Sequence, residues 1–153
     1  MPSRLRALGV VLAATLSAST AVAANYDGVD FFRAVNVDND GAVTKMLAAG
    51  LDPNQLDPRG QPALIVALQT ESLKVAKVLM DAKGIQVDIR NHAGETPLMM
   101  AARYGNEEAV DALLAAGADR TAKNDLGMDA SAFAASAGRE RLAARLKPGV
   151  ATK

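Results

Sequence analysis

The side chains that could carry acid–base or nucleophilic chemistry are few in this sequence. The chain of 153 residues has one histidine, His92, and no cysteine. A nucleophilic site of the serine or cysteine type needs a base that a third group orients, and His92 stands at a predicted hairpin tip without an evident orienting partner. The carboxylates of Glu107, Glu108 and Asp111 fall on one predicted surface helix, where they are typical of solvated charge. We therefore predict no catalytic residues and no enzymatic activity.

One stretch imitates the start of a calcium-binding loop. Residues 36–41 read Asn-Val-Asp-Asn-Asp-Gly, with oxygen ligands at alternate places and glycine sixth. Such a loop closes with a bidentate glutamate at its twelfth position, which here is Leu47. A turn between two helices is the interpretation that we favour. A zinc site would need more histidine or cysteine, and no glycine-rich phosphate loop is present, so we predict no metal and no cofactor.

The elements that position these residues follow from a repeat in the sequence. Gly60, Gly94 and Gly127 are spaced by 34 and then 33 residues. An alanine follows each of them seven residues later, and Ala34 precedes the first of these alanines by 33 residues. A period of this length is the signature of a stacked repeat protein.

The pattern is most complete between residues 91 and 119, where the recurring residues are Gly94, Thr96-Pro97-Leu98, Ala101-Ala102, Gly105, Leu113-Leu114 and Gly117-Ala118-Asp119. It resembles the ankyrin repeat. The resemblance implies an all-α repeat solenoid of about four units, each a helix-turn-helix plus a β-hairpin-like loop, with degenerate end repeats as caps. We expect an ankyrin repeat domain at 24–148, followed by a tail at 149–153. The expected units lie at about 25–55, 56–90, 91–123 and 124–147.

Local residues indicate where the inner helices begin. Thr96 can cap the inner helix of the third unit, and Pro97 suits its first turn, where a missing N–H has no cost. Asp129 can replace threonine as the cap in the last unit. The family usually has histidine after Thr-Pro-Leu, and it ties the loops of adjacent repeats together. Here Met99 and Ile65 take that place, so we expect those hydrogen bonds to be missing.

The N-terminal segment predicts export. Arginines stand at positions 4 and 6, residues 7–16 form a short apolar run, and Ala21-Val22-Ala23 fits a small-x-small cleavage pattern. This arrangement is typical of a bacterial secretory signal peptide, so we expect residues 1–23 to be removed before Ala24. The chain would then work in the periplasm. The alternative is an N-terminal membrane anchor, for which the apolar run is short.

Charge excludes one class of partner. Without residues 1–23 the chain keeps 15 basic and 17 acidic residues, whereas a nucleic-acid binder needs a basic surface. The charge is also uneven, because residues 24–119 carry 8 basic and 14 acidic groups and residues 120–153 carry 7 and 3. The basic end could orient a partner, although a charged outer face on a terminal repeat also serves solubility. The lack of cysteine leaves stability to packing alone.

The family resemblance implies where a partner binds. In ankyrin repeats the hairpin tips and inner-helix faces form a concave contact surface. Carried onto this chain, the candidate partner-binding residues are Arg59, Gln61, His92, Glu95, Leu126 and Met128 at the tips, and Gln69, Thr70, Arg103 and Tyr104 on the inner helices. Arginine and tyrosine are favoured interface anchors, so Arg103 and Tyr104 lead this set. Tyr104 could instead cover the adjacent repeat, and Leu126 and Met128, which look exposed, could pack on each other.

Two functions remain open at this point. The first is a protein–protein interaction module in the periplasm that acts as an adaptor or accessory protein for another exported protein. The second is an immunity-type inhibitor that blocks an exported toxin or enzyme. Both imply a protein partner of unknown identity, no nucleic acid, no stable membrane insertion after signal cleavage, and a monomer.

Overall fold

A computed structural model describes residues 26–149. The predicted signal peptide and residues 150–153 of the predicted tail lie outside the described residues. Within 26–149 the regular structure consists of eight α-helices, and the hairpin-like loops contribute one isolated antiparallel bridge, between Leu56 and Pro62. No helix in this part of the chain is long and apolar enough to span a membrane.

The helices follow one another as four pairs, which confirms the predicted all-α solenoid. Their bounds are α1 Gly28–Asn36, α2 Asp40–Ala48, α3 Ala63–Gln69, α4 Leu73–Met80, α5 Pro97–Tyr104, α6 Glu107–Ala115, α7 Ala130–Ser136 and α8 Glu140–Leu146. The first member of each pair belongs to an inner layer, in which α1, α3, α5 and α7 contact one another in chain order. The second members form an outer layer, in which α2 contacts α4 and α4 contacts α6.

Small residues let the two layers approach each other. The four alanines that recur through the sequence, Ala34, Ala67, Ala101 and Ala134, are all buried in one continuous hydrophobic core. Because alanine carries only a methyl group, it leaves the space that the leucine, valine and methionine side chains of neighbouring helices fill. The periodic alanines therefore mark the closest packing of the stack, as predicted.

The inner helices begin at the predicted caps. Thr96 Oγ1 accepts from the backbone N–H of Met99 at 3.4 Å, and Pro97 is the first residue of α5. In the last pair Asp129 Oδ1 accepts from the N–H of Ala132 at 2.9 Å. The helix α3 instead starts after Pro62, which offers no side-chain cap.

Each hairpin tip is closed by the side chain of an aspartate or asparagine. Oδ1 of Asp57, Asn91 and Asn124 accepts from the backbone N–H groups two and four residues further on, at 2.8–3.0 Å. The glycine three residues after each of them has a φ of 72–76°, a conformation that other residues adopt at a cost. The three closing residues are spaced by 34 and 33 positions, so the repeat itself was the signal that could have found them.

The expected loss of histidine-mediated hydrogen bonds is also seen. Met99 and Ile65 are buried, and within residues 26–149 neither side chain hydrogen bonds to a neighbouring repeat. These positions therefore contribute to the stack through apolar packing.

Other groups tie the adjacent tips together. Asn91 Nδ2 donates to Gln61 Oε1 at 3.2 Å, which joins the second and third repeats. The backbone N–H of Asp125 donates to the carbonyl oxygen of Ala93 at 3.1 Å, which joins the third and fourth. The loops are thus linked in spite of the missing histidine.

The stretch that imitates a calcium loop is the turn between α1 and α2. Asn39 Oδ1 caps α2 by accepting from the N–H of Ala42 at 3.0 Å, and Asp38 Oδ1 accepts from the N–H of Val75 in the next repeat, also at 3.0 Å. One of the oxygens that a cation would use, Asp38 Oδ1, is therefore engaged by the backbone. No group of three or more potential metal ligands occurs among the described residues.

Candidate protein-binding surface

The candidate site lies along the inner layer of helices. We call it the inner-helix face: the residues at the ends of the inner helices together with the adjacent hairpin tips. Equivalent positions in the four repeats are Asn36-Val37, Gln69-Thr70, Arg103-Tyr104 and Ser136-Ala137. Because the repeats stack, these pairs recur along the same face.

Arg103 and Tyr104 are the last two residues of α5, and both side chains are exposed. Tyr104 keeps 38% of its surface accessible, so it covers the neighbouring repeat only in part. Gly105 follows with a φ of 72° and lets the chain turn sharply into α6. Among the described residues no carboxylate pairs with the Arg103 guanidinium, which leaves its donors available to a partner.

Arg139 adds a cation that the sequence interpretation did not single out. Its Nε donates to the carbonyl oxygen of Arg103 at 3.1 Å, and its guanidinium lies over Gly105, where any larger residue would collide with it. Arg139 occupies the repeat position of Asn106, which caps α6 with its side chain. Where the third repeat has asparagine as the cap of its outer helix, the fourth has arginine, and this difference was the sequence signal for a special role of Arg139.

The middle of the face has fewer free polar groups. Gln69 is half-buried, and its Nε2 lies 3.6 Å from Met100 Sδ of the next inner helix. The Thr70 hydroxyl donates to the carbonyl oxygen of Val66 at 3.0 Å and lies 2.9 Å from Ser72 Oγ. Both side chains are thus engaged within the stack, and their contact with a partner remains a prediction.

Two of the predicted tip residues belong to one small network. Asn91 Nδ2 donates to Glu95 Oε2 at 2.7 Å as well as to Gln61 Oε1 at 3.2 Å. All three side chains are at least half-buried. The structure therefore brings Gln61 and Glu95 together through Asn91, and this network fixes the relative positions of two tips.

Arg59 and His92 remain exposed at those tips. The His92 imidazole lies directly against Gly60 of the preceding repeat, in the space that a β-carbon on that glycine would need. Within residues 26–149 it makes no hydrogen bond or ion pair that could orient it as a base. Its observed contact is packing between two tips.

The last tip differs from expectation at one residue. Leu126 is 82% exposed, as predicted. Met128 was expected to be exposed, but it is half-buried and packs against the hydrophobic core. The reason is its place in the tip: its N–H donates to Asn124 Oδ1 at 2.9 Å, where the chain closes the hairpin and returns to the stack. Of the two, Leu126 is therefore the side chain open to a partner.

One carboxylate has a perturbed pKa, and it lies in the loop between α6 and the last tip. Hydrogen bonds from the Thr121 hydroxyl and the Thr121 backbone lower the pKa of Asp119, and the charge of Arg90 adds to the effect. The backbone N–H of Asp119 in turn donates to Asp88 Oδ1 at 3.0 Å. The Asp119 carboxylate thus orders its own loop, whereas the Asp88 carboxylate joins the two repeats through the Asp119 N–H.

Comparison with known proteins agrees with this architecture. A family model described as ankyrin repeats, in three copies, matches residues 31–124. The human Neurogenic locus notch homolog protein 4 is 40% identical over 78 residues, which are 51% of this chain and 4% of that protein. The human SH3 and multiple ankyrin repeat domains protein 2 is 41% identical over 88 residues, or 56% and 5%. The E3 ubiquitin-protein ligase KEG of Arabidopsis thaliana is 37% identical over 93 residues, or 60% and 6%.

These relatives are far longer than the present chain, which corresponds to a small part of each. The likeness is therefore one of repeat domains, and it does not extend to the activity of any whole protein. The family model, however, covers more than half of the sequence, at residues 31–124. The four helix pairs of residues 26–149 have the arrangement expected of stacked repeats. The chain belongs to the ankyrin repeat family.

Proposed function

We propose that this chain is an exported adaptor or accessory protein that binds another exported protein through its inner-helix face. An ankyrin repeat domain is a protein–protein interaction module, and the proposal adds the location, the surface and the role. The observation that carries it is the pair Arg103 and Tyr104, exposed side by side at the end of α5. Arginine and tyrosine are enriched among interface anchors, and tyrosine offers a large, rigid contact area at a low cost in conformational entropy.

The placement of the remaining ionisable groups supports binding over catalysis. Glu107 and Asp111, which could have formed an acid–base pair, both accept from Arg145 of α8; the Glu107 contact is 3.5 Å. These charges tie the last outer helix to the preceding one. This structural role accounts for the two carboxylates without a catalytic function.

The proposed location rests on the N-terminal sequence. The basic start, the apolar run at 7–16 and the small residues at 21–23 support cleavage before Ala24 and release into the periplasm. The partner would then be met in that compartment.

Affinity capture tests the proposal. The processed protein is immobilised and exposed to a periplasmic extract, beside a matched bait with Arg103→Ala and Tyr104→Ala. We expect one or a few proteins to be retained by the wild-type bait and lost from the variant. Retention of the same proteins by both baits would contradict the proposed surface.

The captured protein then distinguishes the two roles. An adaptor leaves the activity of its partner intact and binds with moderate affinity. An immunity-type inhibitor binds very tightly and abolishes the activity. Measurement of the partner's activity with and without a stoichiometric amount of this chain decides between them.

A further inference from the structure

At one end of the inner-helix face lie two arginines, Arg103 and Arg139, that form no ion pair with a described carboxylate. Glu107 and Glu140 line the same surface depression as Arg139. Arg33 pairs with Asp30, and Arg145 pairs with Glu107 and Asp111. Within residues 26–149 neither Arg103 nor Arg139 takes part in such a pair. The two arginines are nevertheless neighbours, because Arg139 Nε donates to the Arg103 carbonyl oxygen at 3.1 Å.

Arg139 is also held in position before any partner arrives. Its Nε–H is engaged by that carbonyl oxygen, and the plane of its guanidinium rests on Gly105. The residue as a whole stays exposed. A guanidinium that is fixed in advance loses less entropy on binding, and its planar donors match a carboxylate.

The opposite end of the same face is apolar. Val29, Val37 and Leu56 are 63%, 67% and 54% exposed. Together with Phe32 and Pro58 they surround an open depression of about 650 Å³ between α1 and the first hairpin tip. Val37 and Tyr104 occupy equivalent positions in their repeats, so the depression and the Arg103-Tyr104 pair lie along one face. Arg139 adjoins this face through its hydrogen bond to the Arg103 carbonyl oxygen.

The distance between the two ends follows from the stack. Packed helices lie about 8–10 Å apart, so α1 and α5, with α3 between them, are separated by about 16–20 Å. An extended chain advances about 3.3 Å per residue, so five or six residues, by that estimate, would span the gap. Between the ends, Gln69 and Thr70 are uncharged and engaged within the stack, and the exposed Glu71 follows them in the turn to α4.

We propose that the partner presents an extended segment with apolar side chains at one end and carboxylates at the other. The apolar side chains enter the depression at the first repeat, and a carboxylate, about five or six residues away, binds Arg103 and Arg139. This inference rests on the proposed function and adds the chemistry and direction of the bound segment. Charge complementarity favours a carboxylate, since neither guanidinium forms an ion pair within residues 26–149.

Peptide selection tests this without knowledge of the natural partner. Random 15-residue peptides displayed on phage are selected on the processed protein, and the enriched sequences are synthesised. We expect them to carry Asp or Glu at one end and apolar residues at the other. Their affinities are then measured for Arg103→Gln with Arg139→Gln, for Val37→Ser with Leu56→Ser, and for Tyr104→Ala. The control is Lys74→Gln with Lys77→Gln, which removes the same charge from the outer helix α4.

The arginine pair and the apolar pair should each weaken binding by about tenfold or more, as loss of anchor residues does. The control should change it by less than about twofold, the scale of a rim charge. Replacing the peptide carboxylate by its amide should remove the effect of the arginine pair. All substituted residues are exposed, and an unchanged circular dichroism melt verifies the fold of each variant.

Other outcomes would overturn the inference. Peptides that need Tyr104 but carry no acidic residue, or that ignore the arginine pair, would refute the partner chemistry and leave the proposed function standing. Acidic peptides that are equally sensitive to the control pair would show a general charge effect and refute it as well. Failure to enrich any peptide that responds to Tyr104→Ala would count against both proposals.

Discussion

At the scale of single residues, the stack has buried positions that alanine occupies in every repeat. Ala101 lies in α5 and is fully buried in the core. We expect Ala101→Leu to overpack the stack and to lower the free energy of unfolding by about 1–3 kcal/mol. Chemical denaturation measures this as a lower midpoint at an unchanged slope. An unaltered midpoint would mean that Ala101 does not mark the packed position of the repeat.

Substitution of Gly105 is unfavourable for two reasons, and comparison with Gly138 separates their effects. Gly105 and Gly138 occupy equivalent turns with φ of 72° and 73°, so alanine at either position should cost about 1–3 kcal/mol of stability from backbone strain. Only Gly105 lies under the Arg139 guanidinium, whereas a β-carbon on Gly138 meets no atom within 4 Å. Gly105→Ala should therefore be the more destabilising in thermal melts, because it also displaces Arg139. An equal or larger loss for Gly138→Ala would show that the Arg139 contact is without effect.

Sequence reasoning predicted the buried alanines and the turn glycines because they recur at a fixed spacing along the chain. It did not predict the role of Arg139. The guanidinium of Arg139 packs on the turn of the preceding repeat, and this contact depends on residues more than thirty positions away. It also predicted an exposed Met128, since the sequence of a five-residue tip does not show which of its side chains packs against the core.

At the scale of helices, capping decides where the inner layer begins. Thr96 is buried, and its hydroxyl satisfies the N–H of Met99 at the start of α5. Thr96→Ala should lower stability by about 1 kcal/mol, the usual worth of such a cap. The control Thr96→Ser keeps the hydroxyl and should retain most of the stability. Equal losses for both variants would attribute the effect to the methyl group and not to the cap.

The helices could be predicted, whereas the bonds between repeats could not. Thr96 with Pro97, and Asp129 in the last pair, are local signals that specify a helix start. The link from Asn91 to Gln61 joins side chains of different repeats, and its donor was not an obvious candidate in a chain that lacks the family histidine. The absence of histidine-type hydrogen bonds at Met99 and Ile65 was predicted, but the polar link that replaces them depends on tertiary structure.

At the scale of the whole molecule, the first prediction concerns processing. The exported protein should begin at Ala24, because residues 1–23 have the composition of a cleavable signal. Mass spectrometry of the intact protein from the periplasmic fraction measures this. An intact Met1 in a membrane fraction would contradict the proposed location and favour the membrane anchor.

The central claim is that a protein binds to the inner-helix face, and the affinity of the captured partner tests it most directly. Isothermal titration compares the wild type with Arg103→Ala and Tyr104→Ala together, and with the control Lys74→Ala and Lys77→Ala on the outer helix α4. The first pair should weaken binding by more than about 2 kcal/mol, the range of interface anchors, while the control pair changes it little. Loss of binding in the control pair, with the Arg103 and Tyr104 variant unaffected, would place the partner on the outer layer and contradict the account.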